Sequence, residues 1–331
     1  MKVQGTSSTE NLLVLEKIAA NDITSRANYC YALFWSLGTA TGLFLYYSFM
    51  KRCRQTKGNW TWRDTVLCNY CISEFYILLF SMSSLVHRPD YMHVTNINCA
   101  VLSFVFNLAC ICGEFLQVLM ALIFACHKDH FPLQRFTRVQ DRPIAAVGVT
   151  SLLSLLLCVV LAVLREQQPL HDYTDCQLDP FDAPYTYDVV KMTIGFIFPI
   201  FLKLVLLVVW ILNDPSFLSS LKDNPVYPAV TTVTFACRLF YNIVLMDRAA
   251  MKPGKPSLWK EALMTVAEFV LFSGSSICLV LVLCLHGPCR ATLKETAGHL
   301  QKCCSGIGGR DANRRVMATH IEFQQTAVTD N

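Results

Sequence analysis

The chain has 331 residues, of which 53% are hydrophobic and only 16% charged, with a net charge of +4. An ordinary globular domain carries about 25% charged residues, so this composition, with its positive mean hydropathy, excludes a large soluble core and describes a membrane protein. The modest basic excess is that of cytoplasmic loops on a membrane protein and does not describe a nucleic-acid surface.

Crossing about 30 Å of hydrocarbon takes about 20 apolar residues in a helix. Such runs fall at 28–50, 65–86, 95–126, 143–164, 189–212, 225–246 and 261–285. That predicts an all-α, polytopic bundle of seven transmembrane helices. The first five runs and the last are clear. The sixth is the weakest, because Pro225, Pro228, Thr231, Thr232, Thr234 and Arg238 dilute it. Without it the count is six, and both termini share a side.

Orientation follows from lysine and arginine in the short loops. The loop after the first run carries Lys51, Arg52, Arg54, Lys57 and Arg63, and the loop after the third carries Lys128, Arg135, Arg138 and Arg142. The loop after the fourth holds Glu166, Asp172, Asp175, Asp179, Asp182 and Asp188 instead. The N-terminus is therefore expected outside, in the plasma membrane, and the C-terminus in the cytoplasm. Two features oppose this: a basic last outer loop (Arg248, Lys252, Lys255, Lys260) and a glycosylation sequon at Asn59 on the inner side. Leu12 to Ala20 is interrupted by Glu16 and Lys17 and followed by no good cleavage site, so the first run is expected to be an uncleaved anchor. The chain divides into an outer tail (1–27), the bundle (28–286), an amphipathic helix (287–304) and a cytoplasmic tail (305–331).

Most of the 16 cysteines lie inside apolar runs, where a thiol is a small hydrophobe. Only Cys30, Cys99 and Cys176 fall in the oxidising outer layer. A bridge between Cys99, at the outer mouth of the third run, and Cys176, in the acidic loop, would tie that loop over the bundle. Cys30 reads as a free thiol at a helix start.

The layout resembles the rhodopsin-like family of G-protein-coupled receptors. The residues that carry the likeness are a long third span opened by Cys99, a partner Cys176 in the second outer loop, and Pro199 in FIFPIF of the fifth span. Glu74 in CNYCISEFY matches a position where that family usually has an aspartate that holds sodium, and CRATLKETAGHLQKCC resembles its eighth helix, with Cys303 and Cys304 as lipidation candidates. The departures are as specific. Phe124 or Ala125 stands where the family has the arginine of Asp-Arg-Tyr, the seventh span has no Asn-Pro-x-x-Tyr, and Cys237-Arg238-Leu239-Phe240 replaces Cys-Trp-x-Pro. The resemblance implies a receptor that passes an extracellular signal, from a ligand the sequence does not name, to a heterotrimeric G protein or another cytoplasmic effector. The lost motifs imply the alternative of a non-signalling decoy or scaffold. A transporter is less well supported, because the glycine and proline interruptions do not pair between two halves.

Arg238 poses the sharpest question. A cation at the bilayer centre costs about 2.5 to 3.5 kcal/mol on translocon scales, so it should face the interior and find a partner. At 1.5 Å per residue, Glu114 lies about 22 Å below Cys99, which matches the depth of Arg238 and makes it the first choice. Glu268, in the outer third of its run, and Lys203, in the inner third, match less well, and Glu74 matches in depth but sits on a span usually remote from the sixth. Lys203 is expected to snorkel to the inner headgroups. For the Arg238 and Glu114 pair, structural glue and a conformational switch are equally compatible with the sequence. No catalytic set is found: the runs hold no aspartate, the histidines lie in loops, at run ends or in the tail, and metal-ligand spacings and phosphate-cradling glycine loops are absent. The expectation is a protein that is not an enzyme and has no cofactor or metal.

Overall fold

A computed structural model of the chain describes residues 6–56, 60–87, 92–125, 142–165, 173–176, 178, 184–213, 221–222, 224–250, 258–299 and 301. Asn59, the stretch that follows the third run (126–141), most of the acidic loop, Cys303, Cys304 and the tail from 305 lie outside these residues.

Within them the protein is α-helical apart from one two-stranded ribbon. In chain order the elements are α1 (Thr6–Gln55), α2 (Trp62–His87), β1 (Met92–Thr95), α3 (Asn96–Ala125), α4 (Pro143–Leu164), β2 (Tyr173–Cys176), α5 (Tyr185–Met192), α6 (Phe198–Asn213), α7 (Val226–Ala250) and α8 (Leu258–Leu285). A widened π turn over Thr193–Ile197 joins α5 to α6 without a break, and the Phe198 N–H donates to the Thr193 carbonyl across it. Pro199 explains its place. The proline has no N–H to return to the Gly195 carbonyl, and its ring would crowd that carbonyl in a regular helix.

Among the described residues, six helices have the length and apolarity to cross a membrane: Trp62–Met82, Asn96–Ala125, Pro143–Leu164, Tyr185–Leu212, Val226–Ala250 and Leu258–Leu285. A helix can cross lipid because it satisfies its backbone polar groups internally. The run over 225–246, ranked weakest from its sequence, is among the six as α7. The run over 28–50, ranked clear, is not. Tyr29, Tyr31, Gly38, Thr39, Thr41, Gly42, Tyr46 and Tyr47 dilute that part of α1, whereas α7 gains length at its far end.

Around the bundle, α3 is the most enclosed of the six, and α4 and the 185–212 helix are the most open. Helix α3 packs on α2, α4 and α6, α8 on α1, α2 and α7, and Leu78, Leu116 and Leu279 are fully buried between α2, α3 and α8. Lipid tails are as apolar as leucine, so such helices associate through close packing and hydrogen bonds. Small residues supply the close packing on α1. Gly38 and Gly42 stand one turn apart, and a methyl group on Gly38 would meet Leu78 Cδ1 at 2.6 Å and the Ser276 hydroxyl; one on Gly42 would meet Phe75 Cε2 at 2.8 Å.

At one end of the bundle β1 and β2 run antiparallel, with Met92 opposite Cys176, His93 opposite Asp175, Val94 opposite Thr174 and Thr95 opposite Tyr173. Cys99, in the first turn of α3, is disulfide-bonded to Cys176 with their α-carbons 5.8 Å apart. The ribbon is therefore held to α3 both through the chain and through sulfur. Cys30 is free and exposed.

Gly38→Ala is expected to destabilise the bundle by about 1–3 kcal/mol, the usual cost of overpacking. Thermal unfolding of detergent-solubilised protein measures it, with Gly148→Ala as a control because nothing lies within 4 Å of a methyl group there.

Candidate functional site: a buried charge centre

Arg238 projects from the middle of α7 into the bundle, and its Nε lies 2.9 Å from Glu114 Oε1 on α3. The other oxygen of the same carboxylate, Oε2, lies 2.6 Å from the ammonium of Lys203 on α6. Glu114 is 1% exposed. One carboxylate thus holds two cations from two other helices, away from any aqueous phase.

Lys203 corrects the expectation that it snorkels to the headgroups. It is buried, and its ammonium donates to Gln117 Oε1 at 3.0 Å as well as to Glu114. The flexible stem that can reach a headgroup can equally reach inward, and a buried carboxylate offers a stronger, charge-assisted partner than water at that depth.

Below the charges lies a neutral layer. Gln117 Nε2 donates to the Tyr70 hydroxyl at 3.2 Å and to Thr234 Oγ1 at 3.0 Å, and Thr234 Oγ1 lies 3.5 Å from the Cys278 thiol. These residues sit one helical turn from the charged ones: Gln117 after Glu114, Thr234 before Arg238, Tyr70 before Glu74. Residues three or four apart share a helix face, so each helix presents one charged and one neutral polar group inward, and Lys203 bridges the two layers.

Glu74 also lies closer to this centre than sequence reasoning placed it. A methyl group on Gly113 would stand 3.4 Å from Glu74 Oε1 and 4.0 Å from Arg238 Nη2, so α2 and α7 approach each other's charges across a residue that has no side chain. Glu74 is buried, and its Oε1 has no hydrogen-bond partner among the described residues. Arg238 is held further by its Nη2, which donates to the Cys110 carbonyl at 3.0 Å, while Asn242 Nδ2 caps the Arg238 carbonyl at 2.8 Å. Glu268 is buried on α8.

Sequence reasoning missed Lys203, Gln117, Tyr70 and Thr234 as members of the set. The available signal was the one-turn spacing of polar residues around each intramembrane charge.

The end of the bundle remote from the disulfide holds a second polar cluster. Asp64 Oδ2 accepts from Arg52 Nε at 3.0 Å and from Thr61 Oγ1 at 2.8 Å, and His286 Nε2 lies 3.3 Å from Asp64 Oδ1. This corrects the reading that no aspartate lies within a span: α2 begins earlier than its apolar run, which brings Asp64 inside it, and Asp188 and Asp247 enter the longer helices in the same way. A cavity of about 330 Å³ opens beside this cluster, with Met120, Phe124 and Tyr227 in its wall. Phe124, which with Ala125 was a candidate for the position where an arginine was sought, stacks on Trp210 with ring centroids 5.3 Å apart, meets Tyr227 at 5.4 Å and forms a T-shaped pair with Trp62 at 5.5 Å. Aromatic packing thus ties the end of α3 to α2, α6 and α7.

After a bend at His286 the chain is helical again over residues 287–299. Lys51 of α1 pairs with Glu295 there at 2.7 Å, and that hydrogen bond holds the Glu295 carboxyl below the usual carboxylate range. Cys289 is buried 3.3 Å from His286 Nδ1, and burial pushes its thiol up to about 11.

Compared with known proteins, the chain matches no protein-family model and no curated protein sequence.

Two outcomes are expected of this geometry. Glu114→Gln leaves Lys203 and Arg238 facing each other without their carboxylate and should cost about 3–5 kcal/mol, whereas Lys203→Met keeps the Arg238 pair and should cost clearly less. Thermal unfolding of both variants ranks them, and equal losses would contradict the central place of Glu114. At Cys289 the thiol is enclosed and protonated at neutral pH, so labelling with a palmitate analogue should be unchanged by Cys289→Ala. A fall in labelling would show that this helix opens in the membrane.

Proposed function

We propose that the protein is a multi-pass receptor-like membrane protein that passes an extracellular signal to cytoplasmic partners, and that the Glu114, Lys203 and Arg238 centre biases its on/off equilibrium. In this reading α1 supplies a seventh crossing, the N-terminus and the disulfide-bound ribbon face outside at the plasma membrane, and residues 287–304 lie along the inner leaflet as an amphipathic eighth helix. The cytoplasmic partner would be a heterotrimeric G protein or another effector.

The observation that carries the proposal is the sharing of one buried carboxylate by two helices besides its own. Packing alone does not require charge there, since a buried ion pair adds little net stability over a well-packed apolar core. Such a centre has discrete alternatives, because each cation is either on the carboxylate or off it. A relative movement of α3, α6 and α7 must therefore change its bonding, and a differential of about 1.4 kcal/mol between two states shifts their populations tenfold. The ribbon tied to α3 gives an outer event a rigid attachment to the helix that carries Glu114.

The second reading is a non-signalling scaffold or decoy with the same fold. Phe124 and its aromatic neighbours favour it, because they close around the end of α3 where the resemblance would place a charged switch.

One experiment separates the two. Cells expressing the protein, Glu114→Gln, Arg238→Gln and the double variant are read for G-protein activation, corrected for surface expression. The receptor reading expects each single variant to change basal signalling, and the double to differ from their sum by a coupling of about 0.5–3 kcal/mol. Additive effects would leave the pair a structural role, and an absence of activation from any form would favour the scaffold.

A further inference from the structure

Two carboxyls and two cations meet near the middle of the bundle, and they are shared unequally. Glu114 of α3 holds both Lys203 of α6, at 2.6 Å, and Arg238 of α7, at 2.9 Å. Glu74 of α2 is 3% exposed, yet its Oε1 has no hydrogen-bond partner among the described residues. A methyl group on Gly113 would stand 3.4 Å from that oxygen and 4.0 Å from Arg238 Nη2, so the two atoms are at most 7.4 Å apart, the sum of the two distances. Closing the gap to the 2.7–2.9 Å of a charge-assisted hydrogen bond takes at most about 4.7 Å of travel, which an arginine covers by changing rotamer.

We propose that Arg238 has two seats, Glu114 as in this structure and Glu74 across Gly113, and that it exchanges between them. The exchange turns an unequal arrangement into two one-to-one pairs: Glu74 with Arg238, and Glu114 with Lys203. It also separates two cations that now share one carboxylate, and like charges so close repel each other. An unpaired acceptor buried in the bundle costs free energy for as long as it stays unmet, and the transfer meets it. Gly113 is the residue that leaves the way open. It is the glycine of α3 that faces both groups, and its two other contacts, with Ser73 Cβ and Glu74 Oε1, are at ordinary van der Waals distances, so the gap is not yet closed by packing.

The exchange changes which helices are joined. With Arg238 on Glu114, α3 is tied to both α6 and α7; with Arg238 on Glu74, α7 is tied to α2, and α6 stays on α3 through Lys203. This deepens the receptor reading by naming the second state of its charge centre. It rests on that reading only for the consequence of the exchange, not for the exchange itself.

The test therefore reads stability and not signalling. Full-length protein in nanodiscs is unfolded thermally, followed by tryptophan fluorescence, with Glu74→Gln placed in the unaltered protein, in Glu114→Gln and in Glu114→Asp. The aspartate keeps the charge but withdraws it toward α3, so that series stays readable if Glu114→Gln does not fold. Glu74→Gln should leave the midpoint of the unaltered protein nearly unchanged and lower that of each Glu114 variant by about 2–4 °C, because there Glu74 has become the seat of Arg238. Gly113→Ala supplies the control for a field acting through space. Its methyl group fits the present state and fills the way across, so it should not lower the midpoint by itself, and in the Glu114 variants that carry it Glu74→Gln should no longer matter. An equal effect of Glu74→Gln in all three backgrounds, a dependence on Glu74 that persists with Gly113→Ala, or a fall in the midpoint from Gly113→Ala alone would each overturn the exchange. The exchange failing in this way leaves the signalling experiment above to decide the receptor reading; the exchange holding while no form activates a G protein overturns that reading and leaves the two seats standing.

Discussion

The architecture depends on a single carboxylate. Glu114 gives Arg238 and Lys203 a shared anionic partner in the bundle interior, and the three residues come from α3, α7 and α6. Desolvating an ion costs several kcal/mol even after relaxation, and the mutual attraction offsets that only when the geometry is good and the remaining donors and acceptors are satisfied. Here they largely are. Gln117 accepts from Lys203 and passes the chain of hydrogen bonds to Tyr70 and Thr234, and the Cys110 carbonyl takes another guanidinium proton. The exception is Glu74 Oε1, which faces the guanidinium across Gly113 without a bond. An unsatisfied acceptor that close to a delocalised cation is a ready alternative partner for it.

This arrangement places opposed demands on Arg238. Its guanidinium is planar, always charged and rich in donors, so it can serve Glu114, a backbone carbonyl and a further acceptor at once. Lysine could not, and an aromatic residue would replace directional bonding with packing. The contact between α3 and α7 at this level is electrostatic for that reason.

The two ends of the bundle are closed by different means. At one end a covalent bond fixes a short ribbon onto α3, and at the other the Asp64 cluster and the Phe124 aromatics join α2, α3, α6, α7 and the chain that follows α8. Between them the small residues of α1 let it lie close against α2 and α8. The Glu114, Lys203 and Arg238 centre lies between these two closures, and Asp188, Lys191 and Glu268 are further charged residues buried in the bundle.

The amino-acid sequence by itself determined the helical class, the placement of the long apolar runs and the two cysteines available to an oxidising compartment. It also determined that Arg238 needs an acid at its own depth, with Glu114 as the candidate. All of these depend on composition and on distance along a helix axis, which is proportional to residue number. The tertiary structure decided what depends on rotation about that axis and on which helices are neighbours: that Lys203 turns inward, that Glu74 stands across Gly113 from Arg238, that Gln117, Tyr70 and Thr234 complete the polar set, and that the run in α1 falls short of the apolarity of the other six. Residue number measures height in a bundle. It carries no coordinate for position around it, and the bonds of the charge centre are made in that direction.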